Sequence, residues 1–169
     1  MKSIFFEPFN ESVHLTDRYI GWLNDPEVVR FSRHRLQKQT RNTCLEYISS
    51  FIEHPYNRIW AVVYDGQHVG NVTLLANAAD IVNKTTEIGI MIGEKLSWGN
   101  GVGTAACAFA ADQGLGLGFE KVWIGTLAPN IREIRVFDKL RARHGFTHDC
   151  ILLKHFVFEG ERVDEVRVC

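Results

Sequence analysis

The sequence predicts a mixed α/β (α+β) fold: a central sheet of about six to seven strands flanked by about four helices. Two observations point to it. The hydrophobic period switches from helical to strand spacing near residue 58 and then alternates irregularly, and nine of the 14 glycines fall between residues 89 and 125, where strand and helix signals meet. Taken in order, residues 3 to 7 read as a first strand. Leu15, Tyr19, Trp22 and Leu23 recur at helical spacing behind Thr16 and Asp17, and Asn24-Asp25-Pro26 stops the run. A second helix carries the stripe Cys44, Leu45, Ile48, Phe51 and Ile52, with Thr43 and Glu46 as its expected capping box and Pro55 beyond its end. Ile59 to Tyr64, the turn Asp65-Gly66 and Val69 to Leu75 form a hairpin. Thr85 to Ile92 is a strand. Gly103 to Leu115 is an alanine-rich helix expected to close at Gly116. Lys121 to Leu127 is again a strand, and Ile131 to Arg143 a helix with Ile131, Ile134, Phe137 and Leu140 on one side. Cys150 to Phe158 and Arg162 to Val168 close the chain as a hairpin around Glu159-Gly160. The resulting order, ααβββαβαββ after the first strand, is not the regular alternation of a doubly wound fold.

Bulk properties narrow the function. A chain of 169 residues is expected to be a single domain spanning 1–169. Apolar residues at 46% and charged ones at 23% are those of a globular protein, not of a disordered or fibrous one. A formal net charge of −1 removes the whole-chain case for nucleic-acid or membrane attraction. The scattered cysteines, Cys44, Cys107, Cys150 and Cys169, lack CxxC or Cys/His spacing, so neither a metal nor a disulfide framework is expected and a cytoplasmic setting is. Met1 to Phe9 includes Glu7 and Pro8 where a signal peptide needs an apolar core. The longest uncharged stretch, Leu96 to Ala111, carries three glycines and an asparagine, so no membrane span is expected.

The glycine segment Gly99-Asn100-Gly101-Val102-Gly103-Thr104 lies between a strand and a helix, where free backbone N–H groups and the positive helix end favour an anion. A Walker loop requires a lysine after the glycines, and there is none. Gly101, Gly103 and Ala106 formally match a dinucleotide fingerprint, but the next strand, VWIGTLAPN, lacks the acidic residue that would hold a ribose. A pyrophosphate loop for coenzyme A and a plain capped turn remain open.

The run EIGIMIGEKLSWGNGVGTAA, the strand KVWIGTLAPN, the helix NIREIRVFDKL and the following Gly145-Phe146 resemble the GNAT superfamily of N-acetyltransferases, in the branch that includes ribosomal-protein and nucleotide-sugar acetyltransferases. The likeness covers roughly residues 10 to 168 in element order, and its signature part is 87 to 146. In that family the loop opens with Arg or Gln; Trp98 stands there, as in the WG-x-G variant of this branch. The resemblance implies a GNAT fold with acetyl-CoA as cosubstrate. Its pyrophosphate would rest on the amides of Gly99 to Thr104, its pantetheine beside Met91 and Ile92 and on Asn130, and its adenosine phosphates near Arg132 or Arg135.

The same resemblance makes Glu87 the candidate base, acting directly or through water; an edge-strand charge facing solvent is the alternative. A base is required because an amine attacks a thioester only unprotonated, and a lysine-type amine with a pKa of about 10.4 is charged at neutral pH. Phe137 stands where many relatives carry a tyrosine that protonates the leaving thiolate, so a tyrosine acid at that place is excluded and the identity of the acid stays open. Arg141 to His144 insert four residues into the family's KLGF, about one helical turn.

Between Val28 and Leu45 there is no acidic residue, while Arg30, Arg33, His34, Arg35, Lys38 and Arg41 gather there. Arg30, Arg33, His34 and Arg35 are the candidate acceptor residues, suited to a phosphate; a solvated basic face is the alternative. Residues 22 to 35, WLNDPEVVRFSRHR, also resemble acetyltransferases of nucleotide-linked amino sugars. The expectation is therefore direct acetyl transfer to a primary amine of a small acceptor, best a nucleotide-linked amino sugar. An N-terminal protein acetyltransferase and a non-catalytic acyl-CoA-binding module are the rivals. No nucleic-acid partner is expected, and the oligomeric state stays open, a homodimer included.

Overall fold

A computed structural model describes residues 3–169. Its strands are β1 (Ile4–Pro8), β2 (Arg58–Tyr64), β3 (Gln67–Leu75), β4 (Thr85–Ile92), β5 (Lys121–Leu127), β6 (His148–Phe158) and β7 (Glu161–Val168). The helices are α1 (Glu11–His14), α2 (Asp17–Asn24), α3 (Arg41–Glu53), α4 (Ala78–Asn83), α5 (Val102–Gly116) and α6 (Ile131–Arg143). The strands make one seven-stranded sheet in the order β1-β2-β3-β4-β5-β7-β6. Every neighbouring pair is antiparallel except β4 and β5, which are parallel.

At β2 both faces of the sheet are covered, which is why this strand reads as a continuous apolar run rather than an alternating one. Trp60 and Val62 of β2 join Val72, Leu74, Ile88, Ile124, Ala106, Ala110, Phe137 and Leu140 in a core under α5 and α6. Ile59 and Ala61, pointing the other way, join Tyr19, Trp22, Leu23, Cys44, Ile48 and Phe51 under α2 and α3. Each fully buried Leu, Ile or Val in these layers stabilises the fold by roughly 1.5–3 kcal/mol.

The element that positions the site is the parting of β4 from β5. They pair only at Thr85↔Lys121, Thr86↔Val122 and Glu87↔Trp123. Beyond that point β4 follows β3 up to Ile92, while Ile124 to Leu127 follow β7. The two strands therefore diverge toward their C-terminal ends, and the edges that face each other have no ladder to complete.

Four local expectations are corrected or extended. The capping box of α3 lies one turn earlier than Thr43 and Glu46: the Thr40 hydroxyl accepts from Thr43 N–H, and Thr43 Oγ1 accepts from Thr40 N–H. Helix α5 runs through Gly116, and the left-handed residue behind it is Gly118, with a φ of +92°. The inserted Arg141 to Arg143 prolong α6, whose end is turned by Gly145 at φ +74°. Helices α1 and α4 and the 3-10 turns Arg33–Leu36 and Lys95–Ser97 are too short to show a period and add to the four helices expected.

Candidate functional site

The glycine segment forms a rigid cradle. Gly99 and Gly101 take φ values of +79° and +82°, and open space lies where a Cβ would sit on either. Gly101 is the N-cap of α5 and offers no side chain. The first amide to find a carbonyl is that of Ala105, bonded to Gly101 O at 3.0 Å, so the N–H groups of Val102, Gly103 and Thr104 are the orphan donors of a helix N-terminus. Asn100 turns its amide backward to Leu96 O and Trp98 O, at 3.2 and 3.4 Å. Trp98 anchors the segment: its indole N–H donates to Ile92 O at 2.7 Å, and the Arg132 guanidinium lies 4.1 Å from its ring centroid. Arg132 also donates to Glu27 at 2.8 Å, and Lys95 bridges Asp25 and Glu27 at 2.7 and 2.9 Å. Exposed pairs of this kind are worth little singly, but together they tie the segment to the α2 end and to α6. Arg135 is exposed on α6. Three unpaired amides at the end of a 15-residue helix fit the pyrophosphate of coenzyme A.

Below this cradle lies the opening between β4 and β5. Ile88, Ile90 and Ile92 pack toward α5 and α6, and Met91 packs toward α2 and α3. Asn130 opens α6 beside the opening, with both amide donors committed: Nδ2 donates to Thr126 Oγ1 at 3.0 Å and to Glu133 Oε2 at 2.8 Å. Phe137 is buried in the core and carries no proton to give.

On the opposite face of the sheet, Glu87 stands at the last β4–β5 pair. Since β4 is central in the sheet, this half-buried carboxylate is not an edge-strand charge. Burial raises its pKa, and the Glu165 and Asp80 carboxylates add to the rise; Arg33 and Arg167 oppose it. The result is a carboxylate more basic than usual, facing cations that still favour its charged form.

Glu165 and Arg167 were not visible as site residues in the sequence. Register brings them there, because β7 pairs Glu165 with Leu127 and Arg167 with Gly125. Arg167 Nε donates to Glu165 Oε1 at 2.7 Å, and its guanidinium lies 4.2 Å from the Trp123 ring centroid. Glu165 is only 6% exposed. A Cβ on Gly125 would stand 2.5 Å from Glu165 Oε1, so the glycine exists to let this carboxylate lie across β5. His155, half-exposed, reaches within 3.7 Å of Glu165 Oε2.

The basic stretch divides into two groups. Arg33 is directed to the Glu87 side of the sheet. Arg30, His34, Arg35 and Lys38 line an adjoining cavity of about 380 Å³ with Phe158 and Glu159. Arg30 donates to Glu159 at 3.0 Å, and Arg35 lies 5.5 Å from the Phe158 ring centroid. The His34 ring meets Tyr47 edge-on at 5.7 Å, and the Glu87 charge in turn raises the pKa of the buried Tyr47 phenol, so Tyr47 links the His34 side of the cavity to Glu87. Among the described residues no group of three or more His, Cys, Asp or Glu could hold a metal ion, and no helix is long and apolar enough to cross a membrane.

A family model for the GNAT acetyltransferase domain matches residues 4–143. The chain belongs to the GNAT acetyltransferase family. It is thus an acetyl-CoA-dependent acyltransferase. Solved structures agree in fold. A spermidine N-acetyltransferase from Vibrio cholerae, in complex with CoA and spermine, is 15% identical and aligns over 98% of this chain and 93% of that one, with a TM-score of 0.78. An N-acetyltransferase from Staphylococcus aureus Mu50 is 14% identical over 98% of this chain and 96% of that one, with a TM-score of 0.80. No curated protein matches the sequence.

Proposed function

We propose that this GNAT enzyme transfers the acetyl group of acetyl-CoA directly to the primary amine of a small anionic acceptor, a nucleotide-linked amino sugar. The observation that carries this reading is the pairing of a raised carboxylate, Glu87, with an adjoining cavity lined by Arg30, His34, Arg35 and Lys38 against the single carboxylate of Glu159. An acceptor that fits both has an amine at one end and phosphate at the other.

Glu87 takes the proton from the acceptor ammonium, directly or through water, and its raised pKa makes it a better acceptor than an ordinary glutamate. Glu165, fixed by Arg167, adds a second carboxylate on the same face to hold the ammonium. In the segment Gly99 to Thr104 the free amides of Val102, Gly103 and Thr104 hold the coenzyme pyrophosphate, with Met91, Ile92 and Asn130 along the pantetheine and the exposed Arg135 available to the adenosine phosphates. Acetyl-CoA, when bound, supplies the activated thioester. A polycation is disfavoured as acceptor, because the cavity would set its charges against Arg35 and Lys38 and the Glu159-paired Arg30; burial holds the His34 imidazole below its ordinary pKa, so it adds no charge there.

Charge reversal in the cavity tests this. Arg35→Glu combined with Lys38→Glu is expected to raise the acceptor KM by about 10–100-fold, the worth of one or two lost charge-assisted bonds, and to leave the acetyl-CoA KM unchanged. Equal effects on both constants, or none on either, would remove the phosphate end from the proposal.

A further inference from the structure

Helix α3 brings a phenol to the face of the sheet that carries Glu87. Tyr47, Leu75 and Met91 all pack against the core layer under α2 and α3. The Tyr47 ring stands edge-on to Phe51 and to His34, with centroids 4.9 and 5.7 Å apart, and its phenol meets the Thr73 hydroxyl. Register fixes where that is. Thr73 pairs with Gly89, and Leu75 with Glu87, so Thr73 is the diagonal neighbour of Glu87 on one face, about 7–8 Å away. Gly89 keeps the strip beside them clear for the hydroxyl, because a Cβ there would stand 2.5 Å from Thr73 Oγ1.

The hydrogen bonds leave the phenol oxygen partly unused. Thr73 Oγ1 donates its hydrogen to Gly89 O at 3.3 Å. It therefore receives the phenol hydrogen on a lone pair, and the phenol oxygen keeps its own lone pairs. Burial and the Glu87 charge push the phenol up to about 12, so it is neutral at neutral pH. Among the described residues the Glu87 carboxylate makes no hydrogen bond or ion pair. Two polar groups thus stand near each other on the acceptor side: a carboxylate that takes an amine hydrogen and a phenol oxygen that takes a hydroxyl hydrogen. Their spacing is too wide for a direct bond and suits two adjacent groups of one bound molecule. His34 joins Tyr47 to the basic cavity, so the part of an acceptor that links a phosphate in the cavity to an amine at Glu87 passes the phenol.

We propose that Tyr47 selects the acetyl acceptor: its phenol oxygen takes a hydrogen bond from a hydroxyl on the carbon next to the reacting amine, so the enzyme prefers a vicinal amino alcohol to the same amine without that hydroxyl. This deepens the amino-sugar reading and rests on it. Tyr47 becomes an acceptor-binding residue, with Thr73 holding its phenol in place.

Steady-state kinetics at saturating acetyl-CoA test this with two acceptors, a nucleotide-linked amino sugar bearing a hydroxyl beside the amine and its analogue lacking that hydroxyl. The wild type is expected to favour the hydroxylated acceptor in kcat/KM by about tenfold, the worth of one hydrogen bond. Y47F keeps the ring against His34 and Phe51 and removes only the oxygen. It is expected to lose the same factor on the hydroxylated acceptor, to leave the deoxy analogue unchanged, and so to erase the preference, with the acetyl-CoA Kd unmoved. A purely structural tyrosine would slow both acceptors alike. No preference in the wild type, equal losses on both acceptors in Y47F, or a preference that survives in Y47F overturns the role of Tyr47 while the amino-sugar reading stands. Failure of the wild type to acetylate either acceptor overturns both.

Discussion

Gly101→Val isolates the amide cradle from the rest of the fold. Gly101 has a φ of +82°, and no atom lies within 4 Å of where its Cβ would be, so the substitution strains the backbone without a packing clash. That strain costs about 1–3 kcal/mol, or about 2–12 °C in Tm for a chain of this length. The cost to binding is larger. The amides of Val102, Gly103 and Thr104 depend on the turn at Gly101 for their direction, and hydrogen bonds to a charged group contribute about 1.5–3 kcal/mol each. Misdirecting two of them removes about 3–6 kcal/mol, a rise of roughly 10²–10⁴-fold in the acetyl-CoA Kd. Calorimetric titration at a temperature where circular dichroism shows the variant folded measures this, with Gly116→Ala, also in open space, as the control. An unchanged Kd in folded Gly101→Val would mean that the glycines only turn the chain and that the coenzyme's phosphates lie elsewhere.

Other outcomes follow from the charged groups. Glu87→Gln is expected to lower kcat by about 10²–10⁴-fold with little change in acetyl-CoA Kd; a loss in Kd alone would make Glu87 structural. Glu165→Gln removes a carboxylate that raises the Glu87 pKa and frees Arg167, which lowers it. The acid limb of the kcat/KM profile should therefore move to lower pH, and an unmoved limb refutes the coupling. His68 lies between α2 and the sheet, its imidazole pushed down to about 4 by burial and by His14. Its folded pKa is below the unfolded value of about 6.5, so stability is retained above pH 6.5 and lost as pH falls toward 4. His68→Gln should flatten that part of the Tm profile relative to the wild type.

Strands β4 and β5 and helix α6 have the bounds the sequence implies, because each is long, strongly patterned and bracketed by turn residues. Shorter pieces left no such trace: α1 spans Glu11–His14, one turn, and α4 spans Ala78–Asn83. Several glycines owe their places to contacts that only the folded chain shows. A Cβ on Gly93 would meet the Trp22 ring at 2.1 Å, so Gly93 serves the packing of α2. A Cβ on Gly114 would meet Val122 at 2.7 Å, which is how α5 comes close to β5.

The site was legible where its chemistry is local in sequence. The segment from Gly99 to Thr104 announces itself by its glycine spacing, whereas Glu87 stands out only through the family resemblance. Glu165 and Arg167 come from the last strand through the β5–β7 register, which no local pattern encodes. A glycine in the middle of the strand KVWIGTL was the available hint that something crosses there.

The most direct test of the account is free thiol release from acetyl-CoA by the wild-type protein across nucleotide-linked amino sugars, free amino sugars, polyamines and peptides. The expected result is release that depends on an acceptor and is highest in kcat/KM for a nucleotide-linked amino sugar. Equal or better turnover of a polyamine or a peptide would contradict the anionic acceptor, and tight acetyl-CoA binding with no release to any amine would contradict the catalytic roles given to Glu87 and Glu165.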